Sequence, residues 1–202
     1  MTEPFLDKAY ATDDAQDTRA LYDAWSATYE AEVAQNGYVT PGRCAAALAQ
    51  FAPDMTVPVL DFGCGTGLAG MALKLAGFSV IDGVDLSPDM LAQAQAKGIY
   101  RTVTPIEADA HLLQGDYALI SAVGAIGVGA APVAVFDRLM HALAPEGMLV
   151  FSFSDPTLAD SASTARLNEW LDCGAARLLF SENGPHLPAR HMNATAYVVQ
   201  KI

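Results

Sequence analysis

The run Val59-Leu60-Asp61-Phe62-Gly63-Cys64-Gly65-Thr66-Gly67-Leu68 constrains this chain more than any other. It reads as an apolar strand closing on an acid, a turn with three glycines at alternate positions, and the start of a helix. Glycine there permits a tight turn and removes the Cβ atoms that would keep a ligand off the backbone. Amides at the start of the following helix can hold an acidic or polar group. Asp61, at the strand end, can accept hydrogen bonds from an ammonium or steer the loop. A phosphate-binding P-loop requires Lys and then Ser or Thr after its last glycine, and Leu68-Ala69 supplies neither. The dinucleotide fingerprint G-x-G-x-x-G requires its third glycine where this chain has Leu68, so that match is imperfect.

From Val57 onward, short apolar runs alternate with helical stretches, the pattern of βαβ units around a parallel sheet. Strands are expected at 58–62, 79–85, 101–107, 117–122, 148–154, 176–181 and 194–200, with helices at 68–76, 88–97, 132–143 and 163–173. This is an α/β fold: a seven-stranded, doubly wound, Rossmann-like and mostly parallel sheet with helices on both faces, whose ligands sit beyond the carboxyl ends of the strands. Ahead of it, Leu21, Trp25, Tyr29 and Val33 recur at four-residue steps beside Asp23, Glu30 and Glu32. That spacing predicts one amphipathic helix over 19–34, followed by a loop at 35–42 and a helix at 43–51. Residues 1–56 thus form an N-terminal helical appendage, and 57–202 the sheet domain.

Two further strand ends carry acids. Gly83-Val84-Asp85-Leu86-Ser87-Pro88 places Asp85 about 20 residues beyond the loop, where a ribose diol can receive a bidentate contact. Ser87 or Asp89 can cap the helix that Pro88 opens. Glu107-Ala108-Asp109-Ala110 ends the third strand, and Asp109 can accept from an adenine amino group. A doubly wound topology brings Asp61, Asp85 and Asp109 to one rim of the sheet.

Charge narrows the partners. Eleven basic against 23 acidic residues give a net charge of -12, a repulsive field for a nucleic-acid backbone, and no basic patch is visible. The apolar stretches are interrupted by Gly, Ser and Pro, which argues against a membrane span. The N-terminus lacks the basic flank and apolar run of a secretory signal, so a cytoplasmic location is expected. Cys44, Cys64 and Cys173 fit neither a disulfide framework nor a metal pair, and the spacing of His186 and His191 makes a poor metal site, so no metal is expected. His111 is the candidate base, although a surface histidine is the commoner outcome.

Together, the D-x-G-C-G-T-G loop, the strand-end Asp85 and the E-A-D-A segment resemble motifs of class I S-adenosylmethionine methyltransferases, over about residues 57–153. Ala142–Val150, with its Pro-x-Gly turn before an apolar strand, is similar to the segment preceding their fifth strand. Tyr22-Asp23-x-Trp25-x-x-x-Tyr29-Glu30 and Gly98-Ile99-Tyr100 are similar to the methyltransferase-like proteins first noted in the Williams–Beuren region. The resemblance implies S-adenosylmethionine as cofactor. It lays Gly63, Cys64 and Gly65 along the methionine portion, Asp85 on the ribose hydroxyls, Leu86 and Met90 beside adenine, Asp109 with Ala110 at its edge, and Ser121-Ala122 beneath the sulfonium. It makes Tyr22, Trp25 and Tyr29 candidates for a lid and Arg43 a candidate partner of the methionine carboxylate.

The expected activity is methyl transfer by in-line displacement to a small-molecule acceptor, with 122–131 and 185–192 lining its side of the pocket. The strand-four segment Asp116–Gly124 lacks the [DN]-P-P-[YF] motif of enzymes that methylate nucleic-acid amino groups. Two alternatives stand beside this reading: a non-catalytic S-adenosylmethionine-binding regulatory module, and an NAD(P)-dependent oxidoreductase, which Leu68 and the missing Ser/Tyr-x-x-x-Lys pair disfavour. Because only about 56 residues precede the sheet, a second copy in a homodimer is a candidate source of the rest of a substrate lid.

Overall fold

The computed structural model describes residues 5–9, 15–110 and 117–202. Strands β1 (Val59–Phe62), β2 (Ile81–Asp85), β3 (Thr102–Pro105), β4 (Tyr117–Ala122), β5 (Leu143–Ser154), β6 (Ala176–Leu187) and β7 (Met192–Lys201) form one sheet. Their order is β3-β2-β1-β4-β5-β7-β6. β1 pairs in parallel with both β2 and β4, whereas β7 runs antiparallel to β5 and β6. The order reverses between β1 and β4, which opens a crevice at their carboxyl ends.

Side chains alternate across the strands and divide the core in two. Val59, Leu119 and Val150 face α4 (Thr40–Phe51) and α5 (Leu68–Leu75), through Leu48 and Leu73. Their neighbours Leu60, Ile120 and Phe151 face α7 (Ala134–Ala142) and α9 (Ser161–Asp172), through Phe136, Leu139 and Leu167. Burying one such side chain contributes roughly 1.5–3 kcal/mol, so the central strands hold both layers. α6 (Pro88–Ala96) packs beside β2 and β3. Its start is set by Ser87, whose hydroxyl accepts from the Met90 amide at 3.1 Å, with Pro88 in the first turn.

The N-terminal aromatic stripe forms two helices instead of one. α2 (Ala15–Trp25) stops and α3 (Tyr29–Gln35) begins after a turn at 26–28. The Ser26 and Thr28 hydroxyls donate back to the Asp23 and Trp25 carbonyls, local bonds that compete with the helix ladder. The bend lets the Trp25 indole donate to Glu32 at 2.9 Å and buries Trp25 with Leu6 of α1 (Phe5–Ala9), Val33 and Leu187. β6 also runs past the expected end at 181. Glu182-Asn183-Gly184-Pro185 reads as a turn, but β6 is the outer strand of the sheet, where a proline is tolerated and polar side chains face water. Short α8 (Asp155–Ala159) follows β5. No helix among the described residues is long and apolar enough to cross a membrane.

Candidate active site

The glycine loop follows β1 directly. Gly63, Gly65 and Gly67 all have positive φ, which bends the backbone so that the Gly65 amide points at Asp85 and donates to its Oδ2 at 2.9 Å. A Cβ on Gly63 would stand 2.6 Å from that of Ala125, so the loop can lie against the segment after β4 only as glycine. Asp85 also accepts the Ser87 amide at 2.9 Å through Oδ1. Burial raises its carboxyl above the usual range, and these amides offset only part of that.

Asp61 lies beneath the loop, fully buried. Its Oδ2 accepts the Tyr100 hydroxyl at 2.8 Å, and its Oδ1 has no hydrogen-bond partner. Burial pushes this carboxyl up to about 7 against the pull of the Tyr100 hydroxyl first, then of the Ser121 hydroxyl and the Gly70 amide. Ser121, opposite Asp61 in the β1–β4 register, also holds a buried hydroxyl without a partner, as does Thr66 in the loop. Buried polar atoms are nearly always satisfied, so these three around one loop leave places for a ligand's polar group or a water to fill.

Beyond the loop opens a cavity of about 550 Å³. One wall is Gly63–Thr66, Asp85, Leu86 and Met90; the facing walls carry Tyr22, Tyr29, Tyr38 and the small residues after β4. A lobe of about 70 Å³ shares Tyr22, Tyr29, Tyr38 and Gly124 with it and reaches Trp25, Ser152 and His186. Burial pushes the His186 imidazole down to about 4, and its Nδ1 lies 2.8 Å from the Thr40 hydroxyl.

A polar seam ties α2 and α3 over this cavity. Ser87 donates to Asp23, Gln93 donates to the Ser26 carbonyl at 2.6 Å, and Lys97 pairs with Glu30 at 2.5 Å. Lys97 also donates to the Thr66 carbonyl at 2.6 Å, linking the cover to the glycine loop. Tyr22 donates to the Gly129 carbonyl at 3.2 Å, closing the far side.

Of the residues singled out above, Gly63, Cys64, Gly65, Asp85, Leu86, Met90, Tyr22 and Tyr29 line the cavity. Asp61 and Ser121 lie just under its floor, and Trp25 stands behind the tyrosines in the smaller lobe. Arg43 is elsewhere: its guanidinium donates to the carbonyls of Glu182, Pro185 and Ala194 and pairs with Glu182, so it clamps the β6–β7 edge and not a cofactor carboxylate. Asp109 is exposed outside the cavity, because the chain turns away after β3; Ile106, Glu107 and Ala108 form that wall. Ala110 is held from behind, its carbonyl accepting from Arg138. His111 lies outside the described residues.

Several site residues escape sequence reasoning. Arg138 lines the cavity from α7 and donates to the Ala108 carbonyl at 2.5 Å, yet in sequence it is one charge on a helix. Tyr38 and His186 meet edge to face at 5.2 Å across 148 positions of chain. His186 falls in the 185–192 segment expected to line the acceptor side, although the sequence singles it out only as a poor metal ligand; Tyr100 has the Gly98-Ile99-Tyr100 segment, which points to kinship and not to a role.

Comparison with known proteins agrees with this geometry. A family model described as a methyltransferase domain matches residues 59–147. Human methyltransferase-like protein 27 is 31% identical over 163 residues, 78% of this chain and 64% of that protein. A putative methyltransferase of Geobacillus sp. (strain WCH70) is 38% identical over 85 residues, 42% of this chain and 28% of its own length. The chain thus spans less than two thirds of either relative. Among solved structures, the putative methyltransferase in complex with the Haloferax volcanii Trm112 methyltransferase activator has a similar fold. It superposes with a TM-score of 0.68 at 16% identity, covering 91% of this chain and 97% of that one. An S-adenosylmethionine-dependent methyltransferase from Mesorhizobium loti gives 0.57 at 19% identity, covering 77% and 96%.

Proposed function

Because this chain belongs to the class I S-adenosylmethionine-dependent methyltransferases, we propose that it methylates a small, partly apolar acceptor by in-line displacement. S-adenosylmethionine is the cofactor of that family. The carrying observation is a cavity with two unlike walls, a glycine loop with strand-end acids facing a group of tyrosines and small residues.

The residues present fit the cofactor. Asp61 Oδ1 and Ser121 Oγ, buried without partners, suit an ammonium, and Gly63, Cys64 and Gly65 would run along the methionine portion. Asp85 would take the ribose hydroxyls and Leu86 and Met90 the adenine faces, with Ile106 and Ala108 in the place expected of Asp109. When bound, the cofactor supplies an electrophilic methyl group on a sulfonium.

The chain's own work is positioning and exclusion of water. α2 and α3 cover the site and keep bulk solvent from competing with the acceptor. The three tyrosines and the segment after β4 would hold the acceptor and orient it toward the cofactor. His186, pushed down to about 4 by burial and so uncharged, is too weak a base to take a proton from a hydroxyl acceptor at neutral pH. Lining the smaller lobe, it would orient a polar acceptor by a hydrogen bond, whereas an amine with a free lone pair requires no base. The cover comes from the chain's own helices, so a single copy can close the cavity. A net charge of -12 favours small neutral or cationic acceptors over nucleic acid, and the free Cys44, Cys64 and Cys173 suit a reducing, cytoplasmic setting.

A methyl-transfer assay with labelled cofactor across amine, phenol, thiol and carboxylate panels tests this reading. Label in a low-mass product supports it. Tight cofactor binding with no product on any panel favours a regulatory module instead.

A further inference from the structure

Tyr100 lies outside the cavity yet touches every element that shapes the loop. It follows α6, and its ring passes beneath the loop where glycines leave it room. A Cβ on Gly70, in the first turn of α5, would stand 2.2 Å from the Tyr100 hydroxyl. One on Gly83, in β2, would stand 3.1 Å from the ring. Two elements thus give up a side chain to admit one phenol, and that phenol ends on Asp61 Oδ2 at 2.8 Å. The bond occupies one carboxylate oxygen and leaves Oδ1, the orphan, on the other side.

We propose that Tyr100 is a positioning residue for the cofactor's amino-acid tail: its hydroxyl holds the Asp61 carboxylate in the orientation that leaves Oδ1 for the cofactor ammonium. The proposal rests on the reading that Asp61 receives that ammonium. A charge-assisted bond from a phenol both orients a carboxylate and favours its ionised form. Tyr100 itself stays protonated, since burial and the Asp61 charge both raise its hydroxyl well above the usual value. Among the described residues, the other titratable groups around Asp61 are Cys64 in the loop and Asp85 on β2. The Cys64 thiol is pushed up by burial and by both carboxylates, so it stays neutral and adds no competing charge near neutral pH.

The test uses two probes, S-adenosylhomocysteine, which carries the amino-acid tail, and 5′-methylthioadenosine, which lacks it. Tyr100→Phe should weaken the first about tenfold, the size of one hydrogen bond to a charged group, and leave the second within about twofold. Asp61→Asn should discriminate in the same way, and the double variant should lose little more than either single one. The pH midpoint at which S-adenosylhomocysteine affinity rises should move upward in Tyr100→Phe, which loss of packing alone would not produce. If Asp61→Asn weakens both probes equally, the ammonium reading fails and the proposal with it. If Asp61→Asn discriminates and Tyr100→Phe does not, the reading stands and the proposal is overturned. Should Tyr100→Phe not fold, the pH profile of the unmodified chain still decides: discrimination between the probes that stays flat through pH 7 overturns the proposal.

Discussion

Asp61 and Asp82 are both strand aspartates removed from solvent, one register step apart across β1 and β2, and they are treated oppositely. Asp82 sits near the amino ends of the strands. Its Oδ1 accepts from Arg101 at 2.9 Å and Thr102 at 2.7 Å, and its Oδ2 accepts from Arg101 and from Tyr117 at 3.0 Å. Burial raises its carboxyl, but Arg101, Thr102 and Tyr117 outweigh that and hold it below the usual carboxylate range. Asp61, toward the carboxyl ends, has the Tyr100 hydroxyl on one oxygen and no partner on the other. The first carboxylate is completed by the fold, and the second is left for a ligand to complete. In an open α/β sheet that is the division expected between the end that holds the structure and the end that binds.

The largest effect should come from breaking the satisfied member. Asp82→Ala takes the shared acceptor from Thr102, Tyr117 and Arg101 and should cost about 2 kcal/mol in denaturant unfolding, while the folded protein binds S-adenosylhomocysteine as before. Asp61→Asn should do the reverse, raising the stability of the ligand-free chain by about 1–2 kcal/mol while weakening the same ligand. If both variants destabilise alike, the contrast fails.

The pH dependence sharpens the contrast through its sign. Asp82 has a depressed folded value, so its contribution is present above the unfolded value and is lost as pH falls through the folded one. Asp61 has a raised folded value near 7, so between about pH 4 and 7 the folded state keeps a proton that the unfolded chain releases. Asp61 therefore makes stability fall with rising pH across that window, while His186, depressed from 6.5 to about 4, contributes the opposite slope; removing the Asp61 contribution with Asp61→Asn should make the measured slope more positive. Urea midpoints of both chains from pH 4 to 8 measure this.

Smaller effects belong to the cover and the acceptor lobe. Lys97→Ala cuts the tie from α3 to the Thr66 carbonyl and should speed cofactor dissociation a few-fold in stopped flow, with a stability change of about 1 kcal/mol or less. His186→Asn should raise KM for hydroxyl acceptors a few-fold, with little change for amines, in steady-state kinetics on the two classes.

The satisfied and unsatisfied ends differ in how far the sequence alone reveals them. The loop, Asp85 and the run of strands are legible because each rests on local pattern: glycines at fixed offsets, an acid after an apolar run, a capping serine before a proline. The doubly wound plan is legible too, since alternating strands and helices with crossovers of one hand lead to it, whereas the order of the strands is read only from the structure. Asp82 carries no such mark, because its partners arrive from the starts of two other strands, β3 and β4, that only the finished sheet brings beside it. Arg43 misled for the same reason: a cation near a helix start can serve a ligand or a distant strand edge, and here three carbonyls of β6 and β7 claimed it. The bend at 26–28 lay in plain view as Ser26 and Thr28, but two hydroxyls in an amphipathic stripe weigh little until the packing of Trp25 favours the break.

Proton release on cofactor binding tests the central claim most directly. At pH 6.5 the α-amine of S-adenosylhomocysteine is already protonated, its ordinary value lying near about 8, while Asp61 still holds its proton in much of the free protein. Titration calorimetry in phosphate and in imidazole, which both buffer at this pH and differ in ionisation enthalpy, should show a substantial fraction of a proton released per ligand bound, and Asp61→Asn should abolish it. Equal heats in the two buffers for the unmodified chain would contradict the claim that the ligand completes Asp61.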